Sequence, residues 1–376
     1  MSAALRHYDT TPKHVLNHDI MHCTADGVVG NHLYSGRALG ITDPRDIIQL
    51  HPDLHPLWYD IEAHYNRVGL PHTRNIIWDL DRGQLARHVG FKPSVFFYGP
   101  QESLAWGDSG WFETVQFVNS KNNFMALAEE LKVEVPQTLC FDSVNDITPE
   151  TRNRIVYPCY LKAAISVSGV GIYRCADVEE FDQAASHFEP DVPVQVQEEV
   201  IADRFLNLQY QIVNGHLRRL AATEQILDGF VHQGNRYPAS HEPWDVVESM
   251  AVWMARCGMQ GIFAFDVAVC QTEQGLRFPA IECNPRYNGA SYPTLIADKM
   301  GISEWYAVSL STRFSRLSEI DLSDLEYDLE TRRGVIIVNW GTILAGKLMV
   351  LIAGPKDYQE AILPELSARL DPPIED

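Results

Sequence analysis

The sequence predicts an α/β unit followed by a larger body of mixed α+β structure. Over residues 1–115, strand-like runs (TRNIIWDL, 73–80; PSVFFYGP, 93–100) mix with helical stretches such as 81–89. From 116 to about 305 strands and helices alternate, with turn signals at Val135-Pro136, Asn214-Gly215 and Gln274-Gly275. The chain has 376 residues, 45% hydrophobic and 21% charged, too many for one core and enough for two or three packed units.

Taken in order, the N-terminal HVLNHDIMHC spaces His14, His18 and His22 four apart, on one face if the segment is helical. Zinc is the tempting reading, but no Cys/His/carboxylate cluster completes the site, and a terminal helix with surface histidines is the plainer one. His51 and His55 flank prolines. The Gly/Trp-rich AWGDSGWF, 105–112, reads as a loop or a joint between units. Residues 306–376 read as a helix, an acidic linker (319–330), an apolar stretch and a final helix near 356–370. The apolar stretch, 334–354, is interrupted by Asn339, Lys347 and four glycines. Two strands turning near Ala345-Gly346 fit it better than a membrane span.

With 30 basic and 50 acidic residues the net charge is −20. That field disfavours nucleic acid and anionic membranes as partners. Seven cysteines without a CxxC pair suit reduced thiols, and the polar N-terminus lacks the apolar core of a signal peptide, so a cytoplasmic protein is expected.

AIECNPRYNGAS, 280–291, puts Glu282, Asn284 and Arg286 at alternate positions of a strand, hence on one face. Upstream, FAFDVAV sets Asp266 among apolar neighbours. A hairpin centred on Gln274 places Asp266 opposite Glu282, where like charges destabilise unless a cation lies between them. Hard oxygen ligands suit Mg²⁺, and Arg286 could hold a phosphate bidentately. A solvent-facing edge strand, supported by Pro279, stays open as the alternative. Lys121 falls in the first turn of an amphipathic helix capped by Asn119 or Ser120, where a bound anion would relieve the macrodipole conflict and a solvated lysine would also serve. Lys162 lies on an apolar strand before a loop with Ser168, Gly169 and Gly171, read as a phosphate cover or as a hairpin with a snorkelling lysine. VPVQVQEEVI, 192–201, is a strand whose exposed backbone could meet an adenine edge near Glu198, or a strand end with solvated acids.

In order and spacing these pieces resemble the ATP-grasp superfamily over about residues 116–300. The most specific element is D-x₁₅-E-x-N-x-R. The resemblance implies an N-terminal pre-ATP-grasp α/β domain (1–115), an ATP-grasp domain (116–305, subdomains about 116–196 and 197–305) and a small C-terminal extension (306–376). It implies ATP on Lys121, Lys162, Ser168, Gly169, Gly171, Glu198, Glu199 and Ile201. It also implies Mg²⁺, as two ions, on Asp266, Glu282 and Asn284. Asn207 and Gln209 stand where many members carry an acid or a histidine, so no ribose contact is assigned. LDGFVHQGNRYP, 227–238, and the C-terminal hairpin are similar to natural-product peptide ligases of the pheganomycin type.

The implied chemistry is carboxylate–amine ligation through an acyl phosphate, with Lys162, Asn284 and Arg286 as catalytic residues. Arg218, Arg219, His232, Arg236, Tyr287 and Asn288 are substrate-side candidates. A small acid and an amine, such as amino acids or a short peptide, are the expected partners, and a homodimer is compatible with the reading. A carboxylate–thiol ligase loading a carrier protein is the near alternative. A non-catalytic nucleotide-binding regulator and a kinase acting on a hydroxyl are the more distant ones.

Overall fold

Chain direction and side-chain alternation sort the strands of the computed structural model into three sheets. Residues 12–24, 29–166, 171–229 and 231–371 are described. The first sheet is parallel, in the order β3-β2-β1-β4, with β1 Lys13–Asn17, β2 Ile47–Gln49, β3 Ile76–Ile77 and β4 Phe91–Val95. Parallel neighbours need crossovers, and here these are 3₁₀ segments (Asn31–Ile41, Pro52–Leu57, Arg82–Arg87) and the helix Trp58–Arg67.

This sheet corrects three local expectations. His14 sits in a strand, so the four-residue histidine spacing never forms a helical face; Val15 and Leu16 are buried as a parallel strand requires. The stretch 81–89 is a 3₁₀ turn rather than an α-helix, and only two residues of 73–80 pair as a strand.

The second sheet is antiparallel, in the order β5-β8-β6-β7: β5 Thr138–Phe141, β6 Cys159–Ala163, β7 Ile172–Cys175 and β8 Val194–Glu198. Its core is its own. Phe181 and Ala184 of the helix Val178–Ala185 pack on Leu161, Val194 and Val196.

The third sheet has nine strands. They are β9 Arg204–Val213, β10 His216–Asp228, β11 Val231–Tyr237, β12 Gly261–Thr272, β13 Gly275–Arg277, β14 Ala280–Asn284, β15 Trp305–Ser311, β16 Gly334–Asn339 and β17 Lys347–Ala353. The order is β13-β12-β9-β10-β11-β15-β17-β16, with β14 also paired to β12. Alternation divides its central part. Leu206, Leu208, Tyr210, Phe263, Phe265 and Val267 form one core with Phe124 and Leu127 of the helix Lys121–Leu131 and Val247 and Met250 of the helix Trp244–Arg256. The intervening residues, among them Asn207, Gln209 and Asp266, lie on the other face.

At the C-terminus the expected helix from 306 is strand β15, as its aromatic and β-branched content favours. Residues 334–354 form the antiparallel pair β16–β17, joined by the 3₁₀ segment Gly341–Ala345 and a left-handed Gly346. Among the described residues no helix is long and apolar enough to cross a membrane. These last strands continue the nine-stranded sheet and share one core with the N-terminal unit, where Leu39, Ile48, Leu54 and Ile61 join Trp305, Ile336, Val350 and Leu366.

Candidate functional site

The register of β12 and β14 sets the site. Thr272 pairs with Gly275 across the turn, a bulge follows between Asp266 and Val267, and Asp266 then stands opposite Glu282 and Ala264 opposite Asn284. The two carboxylates thus meet on the polar face. Burial and the Glu282 charge push Asp266 up to about 7, against hydrogen bonds from Asn207 and Asn284. Burial also pushes Glu282 up, but Lys121, Lys162 and Arg286 outweigh it and hold that carboxyl well below the usual range.

Amides surround Asp266. Its Oδ1 accepts from Asn207 Nδ2 at 2.6 Å and Gln225 Nε2 at 2.5 Å, and its Oδ2 from Asn284 Nδ2 at 3.0 Å. Arg286 donates to Asn284 Oδ1.

Both lysines converge on this face. Ser120 caps the helix Lys121–Leu131 by accepting from Asn123 N, which fixes Lys121 in the first turn. Lys121 Nζ lies 3.0 Å from Glu282 Oε2 and donates to Ser166 Oγ at 3.1 Å. Lys162, on β6, donates to Gln197 Oε1 of β8 at 2.7 Å and lies over the Tyr160 ring. Burial lowers its ammonium to about 8, with Glu282 resisting and Lys121 assisting. A small cleft lined by Asn119, Lys121, Ser166, Glu282, Asn284 and Arg286 lies among these groups. Arg286 also lines a neighbouring cavity of about 350 Å³, walled by Tyr98, Trp106, Trp111, Ile262 and Tyr287.

The donor set suits magnesium. Two carboxylates and a carboxamide stand in register, all hard oxygen donors, and burial together with the Glu282 charge raises Asp266, a conflict that a divalent cation would relieve. Among the described residues, the one close His/Cys/Asp/Glu group of ligand spacing is elsewhere, at His32, His51 and Asp53. It is not the His14/His18/His22 set. His18 is buried instead, with Nδ1 at 2.8 Å from Tyr292 Oη and Nε2 at 3.0 Å from Ser94 Oγ.

The remaining candidates divide. Asn288 bonds Asn207 at 3.2 Å, and its Oδ1 accepts from Ala290 N and Ser291 N in the turn before the helix Ser291–Met300. His232 lies 2.5 Å from Asn235 Oδ1, and Asn235 in turn donates to Thr223, across from Asn207. Gly289 leaves room for that ring, since a Cβ there would come within 2.8 Å of His232 Cε1. Tyr287 faces Ser94 at 3.3 Å and His18 edge-on.

Other candidates are drawn away. Arg218 bonds Gln211 toward the far end of the strand pair. Arg219 turns to the opposite face, onto Glu248 and the Trp244 ring. Arg236 packs on Tyr306 near Glu360 of the C-terminal helix. These three are not brought to the carboxylates, because adjacent strand residues face opposite ways and Arg218 is too far along.

At the end of β8, Glu198 accepts from Gln137 N at 2.8 Å, and Glu199 is held by Arg174 and Tyr160. Both carboxylates therefore have internal partners. Ile201 is 89% exposed beside them. Gly171 closes its loop at φ 75°, while Ser168 and Gly169 lie outside the described residues.

The whole chain aligns with solved structures. It superposes on N5-carboxyaminoimidazole synthetase from Staphylococcus aureus complexed with ADP at a TM-score of 0.61, covering 96% of this chain and 97% of that one at 11% identity. The chain has the ATP-grasp fold. The Thermus thermophilus N5-carboxyaminoimidazole ribonucleotide synthetase gives 0.58 at 14% identity, over 96% of this chain and 99% of that one. The Aspergillus clavatus N5-carboxyaminoimidazole synthase in complex with ADP and its aminoimidazole ribonucleotide gives 0.52 at 10%, over 82% and 93%. Neither a protein-family model nor a curated protein matches the sequence. The clustered residues lie where the β5–β8 sheet and the central part of the nine-stranded sheet meet.

Proposed function

We propose that this ATP-grasp chain is an ATP-dependent carboxylate–amine ligase working through an acyl phosphate. The observation that carries the reading is one polar face that gathers Asp266, Glu282, Asn284, Arg286 and, from the other half, Lys121 and Lys162. ADP in similarly folded synthetases supports a nucleotide in the same cleft.

In this reading Lys121 and Lys162 receive the transferred phosphoryl group, and Asp266, Glu282 and Asn284 would hold two magnesium ions. Bound there, magnesium supplies charge neutralisation at the β- and γ-phosphates. The substrate carboxylate attacks the γ-phosphorus, breaking its bond to the β-phosphate oxygen and releasing ADP. Arg286 holds the acyl phosphate while the amine attacks its carbonyl carbon and expels phosphate. Lys162 is only 7% exposed, so its own ammonium meets the phosphoryl group with little competing water. Ile201 and the backbone around Glu199 offer an apolar shelf for adenine. Domain limits near 115 and 305 are part of the proposal, as is a natural-product peptide ligase of the pheganomycin type, which rests on the run 227–238 and the C-terminal hairpin.

Incubation with ATP, Mg²⁺ and pooled amino acids tests it. ADP and phosphate that need two substrates are expected. AMP and pyrophosphate would remove the acyl-phosphate route, and a thioester on a carrier would move the acceptor to a thiol.

A further inference from the structure

A second guanidinium near Arg286 has no counter-charge. Arg37, on the 3₁₀ segment Asn31–Ile41, is 7% exposed and packs on three rings, Tyr34 at 5.1 Å, Phe96 at 4.6 Å and Tyr292 at 4.5 Å. Its Nε and Nη2 have no hydrogen-bond partner, and among the described residues no carboxylate pairs with it. Those two nitrogens are the fork that grips carboxylates elsewhere in this molecule. Arg67 uses them on Glu326 at 2.7 Å each, and Arg174 on Glu199 at 2.7 and 2.9 Å.

Neighbouring charges do not fill the gap. Arg82 is met by Asp19 and Glu102. The Tyr292 hydroxyl lies within hydrogen-bonding reach of Arg37, but it is neutral and supplies no counter-charge, and it also lies 2.8 Å from His18. Rings lend a cation part of its lost solvation but give the N–H groups no acceptor. A buried ion left unpaired is costly, and here it persists in a chain of net charge −20 that is rich in spare carboxylates. Arg286 lies 5.9 Å from the same Phe96 ring, so the two guanidiniums share one aromatic neighbour.

We propose that Arg37 binds an oxyanion, carboxylate or phosphate, carried by the acid substrate at the end opposite its reacting carboxylate. The identity of that molecule as a substrate rests on the ligase reading; the anion binding does not. Diacids, acidic amino acids and phosphorylated acids fit, and simple monocarboxylic acids do not.

The test is thermal shift and calorimetry without nucleotide, with succinate, glutamate, 3-phosphoglycerate and, as the single-charge control, acetate. Wild type should be stabilised by succinate or glutamate if the group is a carboxylate, by 3-phosphoglycerate if it is a phosphate, and little by acetate. Arg37→Met should bind the active probe at least tenfold more weakly and, unliganded, melt no lower than wild type. Arg37→Lys keeps the charge without the fork; it should also lose tenfold, and it carries the comparison if the methionine variant does not fold. No shift of wild type by any probe, or equal binding by the variants, overturns the proposal. So does an unliganded melt of Arg37→Met several degrees lower with binding unchanged. Acids that bind through Arg37 yet never stimulate ADP release would sink the ligase reading alone. Ligation with an unchanged KM in Arg37→Lys would sink the Arg37 site alone.

Discussion

Burial brings the Lys162 ammonium down to about 8, whereas an unfolded lysine keeps its proton to about 10.5. Between those values the unfolded chain binds more protons, so raising pH through this window must stabilise the nucleotide-free protein. Lys299 is lowered in the same range, so the contribution of Lys162 is read as the difference between wild type and Lys162→Met. The variant should melt higher than wild type at neutral pH, with the gap closing as pH rises from about 8 to 10.5; parallel curves would clear Lys162 of the effect. Glu282→Gln removes one carboxylate while keeping its volume. It should cut ADP release by at least about a hundredfold and leave the far-UV circular dichroism unchanged, and near-wild-type turnover would take Glu282 out of the site. These charged positions were legible in the sequence because polar residues at alternate positions of an apolar strand are anomalous. The amides that hold them were not. Asn207, Gln225 and Gln197 acquire meaning only from the strands opposite, and nothing local to FLNLQYQIV says that Asn207 will face Asp266.

At the level of elements, the segment before β16 is tied to the helix Trp58–Arg67 by one carboxylate. Glu326 accepts from His64 Nδ1 at 2.7 Å and from both fork nitrogens of Arg67, and His64 Nε2 in turn accepts from Ile337 N at 3.0 Å. Burial raises the Glu326 carboxyl, but Arg67 and His64 more than offset it and bring it down to about 2. Its contribution to stability is therefore present above about 4.5 and lost as pH falls toward 2. Glu326→Gln should cost about 1.5–3 kcal/mol, the scale of hydrogen bonds to a charged group, since the Arg67 side chain is more than half exposed, and should flatten the acid limb of the unfolding curve. Denaturant melts at neutral and acid pH check both. The sequence reading marked this region only as an acidic linker, because its partner lies far upstream. It missed β1 and β15 for related reasons: a short buried strand such as HVL has no alternation to show, and the first four residues of WYAVSLS are all buried and alternate no better.

For the whole molecule, the alternation of strands and helices and the order of the charged motifs were enough to indicate the architecture. The sharing of one core between the first sheet and the last strands was not, because no local pattern records which distant surface will cover an apolar face. A chain ending at residue 333 would lose Val335, Ile336, Val350 and Leu366 from that core. It should fail to melt cooperatively and should expose Trp58 and Trp78 to a fluorescence quencher, whereas a sharp transition near that of the full chain would contradict the shared core. Synthesis makes the same point in time. The β1–β4 sheet leaves the ribosome first, yet the residues that finish its interior are translated last. Its apolar face must wait through the making of the clasp, whose β5–β8 sheet carries an interior of its own. In a growing chain, the middle can set before the beginning does.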